Sequence, residues 1–439
     1  MRQVVAFTLA IILLSCANEK QPETDASFDR IQGMLLGSAI ADALAGPHEG
    51  RRTEISQQFL HEGGWIDSMS SYNNWFQTHW NVYKENAPPG TVTDDTRLRL
   101  FIVESMIAWA QESSGHSPMT REYLAEQVFD RYRTAQKSFE TAEPPNRTES
   151  FLDMWFWWES AKCATSVNIP VQEPLVTPRF NRIKITDEDG YHTGHWELVP
   201  AIIDTVNSDM SLNFHDGSYH EGKYGAMGQI TLLPLAAYFP GNPEAAFQYG
   251  IEMDFFDIGI APLFPAIYMA IISDGLAGNT WEKVSNDVLQ KGIRGYTGYA
   301  GELNAAYLDS LIDASLSVSS QYKNRSDYPS RKNYIDFVTE LHTSFALGNV
   351  WHMCTCEEML TVPLAMVDYS IDLGLNSAIE MGVNYGRDND TVASFVASIV
   401  GAFVGRDHLN TEWITKVNEA NPQYEIVELS KMIFLITSK

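Results

Sequence analysis

The chain has 439 residues, with 56 Asp and Glu against 30 Lys and Arg, for a formal charge of −26 at neutral pH. That balance argues against a nucleic-acid binder, which needs Lys and Arg to neutralise phosphates, and disfavours polyanionic substrates unless a metal supplies positive charge locally. A hydrophobic share of 44% with 12% aromatic residues belongs to a globular chain rather than a disordered one.

The N-terminus reads as an address. Met1-Arg2 supplies a short positive start, and Val4 to Leu14 is an apolar run too short to span a bilayer as a stable helix. Leu13-Leu14-Ser15-Cys16 closes it with a small residue before a cysteine, the pattern of a bacterial lipoprotein signal in which Cys16 becomes the lipid-carrying terminus. An ordinary secretory signal is the alternative, and either one exports the chain. Residues 17–27 are polar and aperiodic, as in a flexible tether. The expected organisation is a signal over 1–16, a tether over 17–27 and one folded unit over 28–439. The lipid would be its only membrane attachment, holding it at the periplasmic or outer face of the bacterial cell envelope.

The periodic segments that follow predict helices. Phe28 to Leu44 places Gly33, Gly37 and Ala41 four apart, a small-residue stripe that lets another helix come close. Leu98, Ile102, Met106 and Trp109 mark one face of a helix after Thr93. Ala245 to Ile272 must break at Pro262 and Pro265. Met359 to Leu373, Ser377 to Gly382 and Thr391 to Val404 supply the apolar helices of the last third, the final one with Ala393, Ala397 and Gly401 four apart. Strand-like alternation is scarce, so the fold class is all-α. Trp65 to Pro89 reads as a surface excursion and Ile183 to Tyr224 as an insertion or lid loop. Cys163, Cys354 and Cys356 lack the spacing of a disulfide, zinc or redox motif and read as buried thiols. His192, His195, His215 and Asp216 read as loop residues, and Trp155-Phe156-Trp157-Trp158 as core or as a stacking surface.

Two acidic constellations carry the chemistry. Thr93-Asp94-Asp95-Thr96 opens a helix, where Thr and Asp are also good caps. Adjacent carboxylates beside a hydroxyl exceed what a cap needs. Asp388-Asn389-Asp390-Thr391 opens another helix after Gly386-Arg387, with the same two readings. Together they offer four carboxylates and two hydroxyls, a set suited to Mg²⁺, with Mn²⁺ as substitute, and rich enough in charge for two ions. The two helix starts would have to meet across almost 300 residues of chain. Asp42, in an apolar helix, is either a group that orients this site or a solvated position. Glu49, in the following Gly/Pro loop, either reaches a metal or substrate or is a surface residue.

In that order, D-A-L-x-G-P-x-E-G after a Gly-rich helix, T-D-D-T, and G-x-D-x-D-T-x-A resemble the ADP-ribosylglycohydrolase family over Gly33 to Gly405. The resemblance implies an all-α fold, a two-magnesium centre and cleavage of the glycosidic bond between ADP-ribose and an acceptor. It implies metal ligation by Thr93, Asp94, Asp95, Asp388, Asp390 and Thr391, and a gating or acid/base role for Glu49, with Asp95 and Asp390 also in the catalytic set. It further implies a substrate-binding segment at Gly222, Gly225, Ala226 and Met227, whose backbone amides would hold a diphosphate. Here the sequence departs from the family pattern, with Gln229 near the position of an expected arginine. Phe255-Phe256-Asp257 lacks the family's Thr-His pair. A hydrolase of another ribosyl or nucleoside-type glycoside, and a catalytically silent binding protein, are the alternatives.

Overall fold

The computed structural model describes residues 26–51, 53–72, 87–113, 117–142, 147–167, 181–186, 192–197, 226–257, 259–292, 302–346, 355–407 and 409–438. In chain order the helices are α1 (Ala26–Ala45), α2 (Thr53–His61), α3 (Asp94–Glu112), α4 (Arg121–Thr141) and α5 (Arg147–Ala164), then α6 (Met227–Leu232), α7 (Pro243–Met253) and α8 (Leu263–Leu276). They continue with α9 (Trp281–Val284), α10 (Glu302–Lys323), α11 (Arg331–Phe345), α12 (Cys356–Ser370), α13 (Leu375–Val383), α14 (Asn389–Val404), α15 (Thr411–Ala420) and α16 (Ile426–Thr437). The fold is all-α. The departure is a short antiparallel hairpin, β1 (Asn181–Thr186) with β2 (His192–Glu197), paired from Asn181–Glu197 to Thr186–His192. It lies where the sequence predicts an irregular lid, because the polar composition hides the alternation of a short ribbon.

The centre of the molecule is the pair α1 and α14, with α13, α16, α8 and α12 packed around it. Residues Ile31 to Ala45 of α1 and Asn389 to Ala402 of α14 are all buried. A helix buried on every side has no amphipathic stripe, which is why these two read as uniformly apolar. The small-residue stripes meet as expected. A Cβ added at Gly401 would lie 2.2 Å from the Gly33 carbonyl oxygen, and one at Gly33 would lie 2.5 Å from the Gly401 carbonyl oxygen. Glycine is required here for backbone-to-backbone approach, not for its torsion angles.

The proline break falls as the sequence predicts: α7 ends at Met253, and α8 starts after Pro262 with Pro265 in its first turn, where no intrahelical N–H is lost. Leu98, Ile102 and Met106 are buried, whereas Trp109 is half-exposed and donates its indole N–H to the Ser117 carbonyl. The Trp65–Pro89 segment is not simply a surface excursion. Ile66, Met69 and Tyr72 are buried, and Asn384 exchanges two hydrogen bonds of 2.8 Å with the Ile66 backbone. Cys163 and Cys356 are buried free thiols; Cys354 lies outside the described residues. No described helix is long and apolar enough to cross a membrane.

Candidate metal centre

The first half of the site is the start of α3. Thr93 caps the helix, its hydroxyl accepting from the Asp95 N–H at 3.4 Å. Asp42, completely buried on α1, takes most of the remaining work. It accepts the Thr93 N–H at 3.0 and 3.2 Å, the Thr93 hydroxyl at 2.5 Å and the Thr96 N–H at 3.3 Å. Burial pushes the Asp42 carboxyl up from its ordinary range, and these bonds pull it back down. Of the two readings of Asp42, the structure therefore selects the orienting one. With the helix start satisfied from α1, the Asp94 and Asp95 carboxylates are not consumed by capping.

The second half is the turn before α14. Gly386 and Arg387 both adopt left-handed conformations, at φ +80° and +57°. For a non-glycine residue that conformation costs about 1–2 kcal/mol, so something must hold Arg387. Its guanidinium grips Glu358 of α12 in a bidentate pair at 2.6 and 2.9 Å, with both side chains at most 2% exposed. The Tyr385 hydroxyl donates to the same carboxylate at 3.0 Å. The backbone of Arg387 is also bridged to the loop after α1: its N–H donates to the Arg51 carbonyl at 2.8 Å, and the Gly50 N–H donates to its carbonyl at 2.7 Å. Asp388 then stands at the N-cap of α14 without a side-chain capping bond. The capping reading thus holds for Thr93 and fails for Asp388.

The two halves touch. The Thr391 hydroxyl donates to Asp95 at 3.0 Å, across 296 residues of chain. Asp95 is steadied on its other oxygen by Arg99 at 3.4 Å, a buried guanidinium that also donates to Ser38 at 2.5 Å and to the Ile230 carbonyl at 2.9 Å. Ligand oxygens of Glu49, Asp388 and Asp390 all lie within 4.8 Å of one another. Burial pushes the carboxyls of Glu49, Asp95 and Asp390 well above their ordinary range, and mutual repulsion adds to it: Asp388, Asp94 and Asp95 act on Glu49, and Glu49, Asp388 and Asp95 act on Asp390. Asp94 is pushed up to about 6, chiefly by burial, with Arg97 pulling in the opposite direction.

This arrangement fits a hard divalent cation. Its donors are oxygens, the tightest trio contains no sulfur or imidazole, and like charges are forced together in a buried place. Of the residues expected at the site, Thr93, Asp94, Asp95, Asp388, Asp390, Thr391 and Glu49 come together, with Glu49 in the tightest trio and the Thr391 hydroxyl turned to Asp95.

The expected substrate segment is different. Gly222 and Gly225 lie outside the described residues, as does Cys16. Ala226 is buried, and Met227 and Gly228 open α6, where the Gly228 N–H donates to the Asp257 carboxylate at 2.8 Å. That amide is already engaged by the chain's own anion. Gln229 is completely buried, with neither end of its amide hydrogen-bonded. Sequence reasoning did not single out Arg99, Tyr72 or the Glu358–Arg387 pair. Arg99 follows Asp95 at helical i,i+4 spacing, the one local signal among them; the others are assembled from distant segments.

A family model, ADP-ribosylglycohydrolase, matches residues 23–438. Among solved structures, an ADP-ribosylglycohydrolase-related protein complex is similar in fold, with a TM-score of 0.50 and 14% identity over 94% of this chain and 99% of that one. No curated protein matches the chain. The motif order, the shared fold and the match over nearly its whole length lead to one conclusion: the chain belongs to the ADP-ribosylglycohydrolase family.

Proposed function

We propose that the protein is a magnesium-dependent glycoside hydrolase that cleaves the bond between ADP-ribose and an acceptor, on a domain tethered through a lipid on Cys16. The observation that carries the reading is the convergence of Glu49, Asp388 and Asp390, together with the Thr391–Asp95 bond that joins the two helix starts. Asp94, Asp95, Asp388, Asp390 and Glu49, with the Thr93 and Thr391 hydroxyl oxygens, would hold the metal. When bound, the cations would offset the carboxylate charge and polarise ribose hydroxyls and water.

The chain's own residues supply positioning and proton transfer. Asp42 fixes Thr93, and Arg99 and Thr391 fix Asp95, so the carboxylates enter the reaction already oriented. Glu49, half-buried on a loop and not on a helix, moves a proton to or from water or the leaving group. The buried walls restrict bulk water, which strengthens every charge interaction inside.

The test is release of free ADP-ribose from arginine-, serine- and diphosphate-linked conjugates by the full-length chain, in Mg²⁺ or EDTA. Release should need the metal and fall at least a hundredfold in Asp390→Ala, with the variant still folded by circular dichroism. Activity that survives in EDTA or in that variant would sink the metal assignment. For the anchor, a fatty-acid label should enter the chain in bacteria and be lost in Cys16→Ser; equal labelling of both removes Cys16 from the proposal.

A second reading, hydrolysis of a ribosyl glycoside without a diphosphate, is favoured by one specific observation. The Gly228 amide is bonded to Asp257, and Asp254 lies beside it. Two carboxylates at that place repel a further anion. Failure of every ADP-ribose conjugate, with release of ribose from a nucleoside-type substrate, would select it.

A further inference from the structure

Gly33 meets Gly401 and Gly37 meets the Ala397 carbonyl, so α1 and α14 run antiparallel between two ends of the molecule. At one end stand Asp42, the Glu49 loop after α1, and Asp388 and Asp390 at the start of α14. At the other end α1 begins at Ala26 and α14 finishes at Val404. With 20 residues in α1 and 16 in α14, the two ends lie roughly 25–30 Å apart. The last turns of α16 close the far end. Phe434 packs on Phe28 of α1 with centroids 5.6 Å apart. Gly405, just past α14, is pressed against Asp29, and the Arg406 N–H donates to the Asp29 carbonyl at 3.2 Å.

The far end is the apolar one. Among the described residues four large apolar side chains are exposed, and two of them, Val404 at 39% and Leu435 at 41%, flank the first turn of α1. Half-buried aromatic rings stand beside them: Phe28, Phe434, and Phe403, which meets Trp281 of α9 edge to face at 5.7 Å. The neighbouring charges balance, Arg30, Arg406 and Lys431 against Asp29, Asp407 and Glu428, with Lys431 paired to Glu428 at 3.4 Å. In a chain of charge −26 that is a local neutrality. Aliphatic and aromatic side chains among paired charges suit the headgroup layer of a bilayer better than a charged polymer.

The chain itself decides what this face meets. Ten peptide links separate Cys16 from Ala26. A chain of that length spans about 35 Å at most, and about 15–20 Å on average as a coil. A lipid on Cys16 would therefore bring a bilayer to the end of the molecule that carries Val404 and Leu435, and closer to them than to Glu49 or Asp390.

We propose that the first turn of α1, with the last turns of α14 and α16, is a surface that rests on the bilayer, and that the acidic centre at the opposite end of α1 is held away from it. The proposal rests on the Cys16 reading and not on the hydrolase one. The lipid keeps the domain at the membrane, and Val404 and Leu435 fix its tilt by entering the headgroup layer. Substrate then reaches Glu49 from the aqueous side, which suits a water-soluble glycoside and not one carried by a lipid of the same leaflet.

The experiment places the full-length chain, purified from bacterial membranes, on phosphatidylcholine vesicles. A nitroxide is attached through Ser438→Cys, at an exposed position just past α16, or through Glu54→Cys, at an exposed position on α2 close to the Glu49 loop. The label at 438 should be shielded from a water-soluble nickel complex and open to oxygen, and the label at 54 the reverse. Val404→Asp with Leu435→Asp, both at exposed positions, should abolish the shielding at 438 while the chain stays folded by circular dichroism and stays on the vesicles through its lipid. Cys16→Ser should leave the vesicles. Retention that Cys16→Ser does not change, whether both forms stay or both leave, overturns the anchor reading and the proposal built on it. Equal nickel access at 438 and 54 in a retained chain, or shielding unchanged in the double variant, overturns the face alone. A dimer of the Cys16→Ser chain in lipid-free buffer, lost in the double variant, would give the face to a second copy and overturn the bilayer as its occupant.

Discussion

The protein buries two groups of carboxylates and treats them in opposite ways. At Asp254 and Asp257 the backbone supplies the compensation: the Phe256 and Asp257 N–H groups donate to Asp254 at 2.9 and 3.1 Å, and the Gly228 N–H donates to Asp257 at 2.8 Å. Burial still pushes Asp254 up to about 6 and Asp257 well above its ordinary range, and one Asp254 oxygen is buried without a hydrogen-bond partner. At Glu49, Asp388 and Asp390 the surroundings differ. Asp390 accepts the Thr391 N–H at 3.1 Å and Asp388 has no capping bond, while the carboxylates that press on the trio, Asp42, Asp94 and Asp95, come from two other places in the chain. An acidic pair that takes up backbone amides serves the structure. One pressed by further carboxylates is the candidate site for a cation. Composition does not separate the two; the destination of each lone pair does.

The largest effect that would sharpen this contrast comes from the turn that aims Asp388. Replacing Arg387 with Met leaves Glu358 buried without its guanidinium, which should cost about 3–5 kcal/mol of stability. Denaturant unfolding checks it, and the double variant Glu358→Gln with Arg387→Met should recover part of the loss. An unchanged midpoint in the single variant would mean that the pair does not hold the turn. Next comes Gly401→Ala. Its new methyl must displace the Gly33 carbonyl and pry α1 from α14, at about 1–3 kcal/mol. Stabilisation by added Mg²⁺, read as a shift in Tm, should shrink with it, because Asp42 rides on α1 and Asp390 on α14. If the Mg²⁺ response stays whole, the glycine contact serves packing alone.

The smallest effect isolates the other cluster. Asp254 and Asp257 have folded-state affinities for protons above those of the unfolded chain. The Asp254 contribution is therefore fully present below pH 3.8 and is lost as pH rises through about 6. Asp254→Asn should flatten the pH dependence of unfolding between about pH 4 and 6, measured in EDTA to keep the metal site silent. A slope identical to that of the native chain would mean that burial does not raise the Asp254 carboxyl.

Much of this was legible in the sequence, for local reasons. Gly33, Gly37 and Ala41 announced a close helix contact because only small residues allow one, and the partner stripe at Ala393, Ala397 and Gly401 carried the same mark. Asp94, Asp95, Asp388 and Asp390 stood out because adjacent carboxylates at a helix start exceed what a cap uses. Residues whose role depends on a distant partner were not legible. Glu358 looks like any glutamate in the first turn of a helix until Arg387 arrives from 29 residues away. Tyr72 belonged to a segment read as surface, yet it is fully buried, and Asp42, Asp390 and Glu49 help to push its hydroxyl well above the usual range. The role of Asp257 was equally hidden, since the amide that it satisfies is brought to it by a separate helix.

The short bridge between Arg51 and Arg387 has a mechanical meaning. Glu49 sits one residue before Gly50, and Asp388 one residue after Arg387, so the two bridging hydrogen bonds splice the loop to the turn within a few ångströms of the acidic trio. On the proposed reading, an outward swing of Glu49 would have to break that splice or carry the Asp388 turn with it. Admission of substrate and the grip on an ion would then be geared to one hinge: an open loop would also be a loosened socket, and a filled socket would draw the door shut.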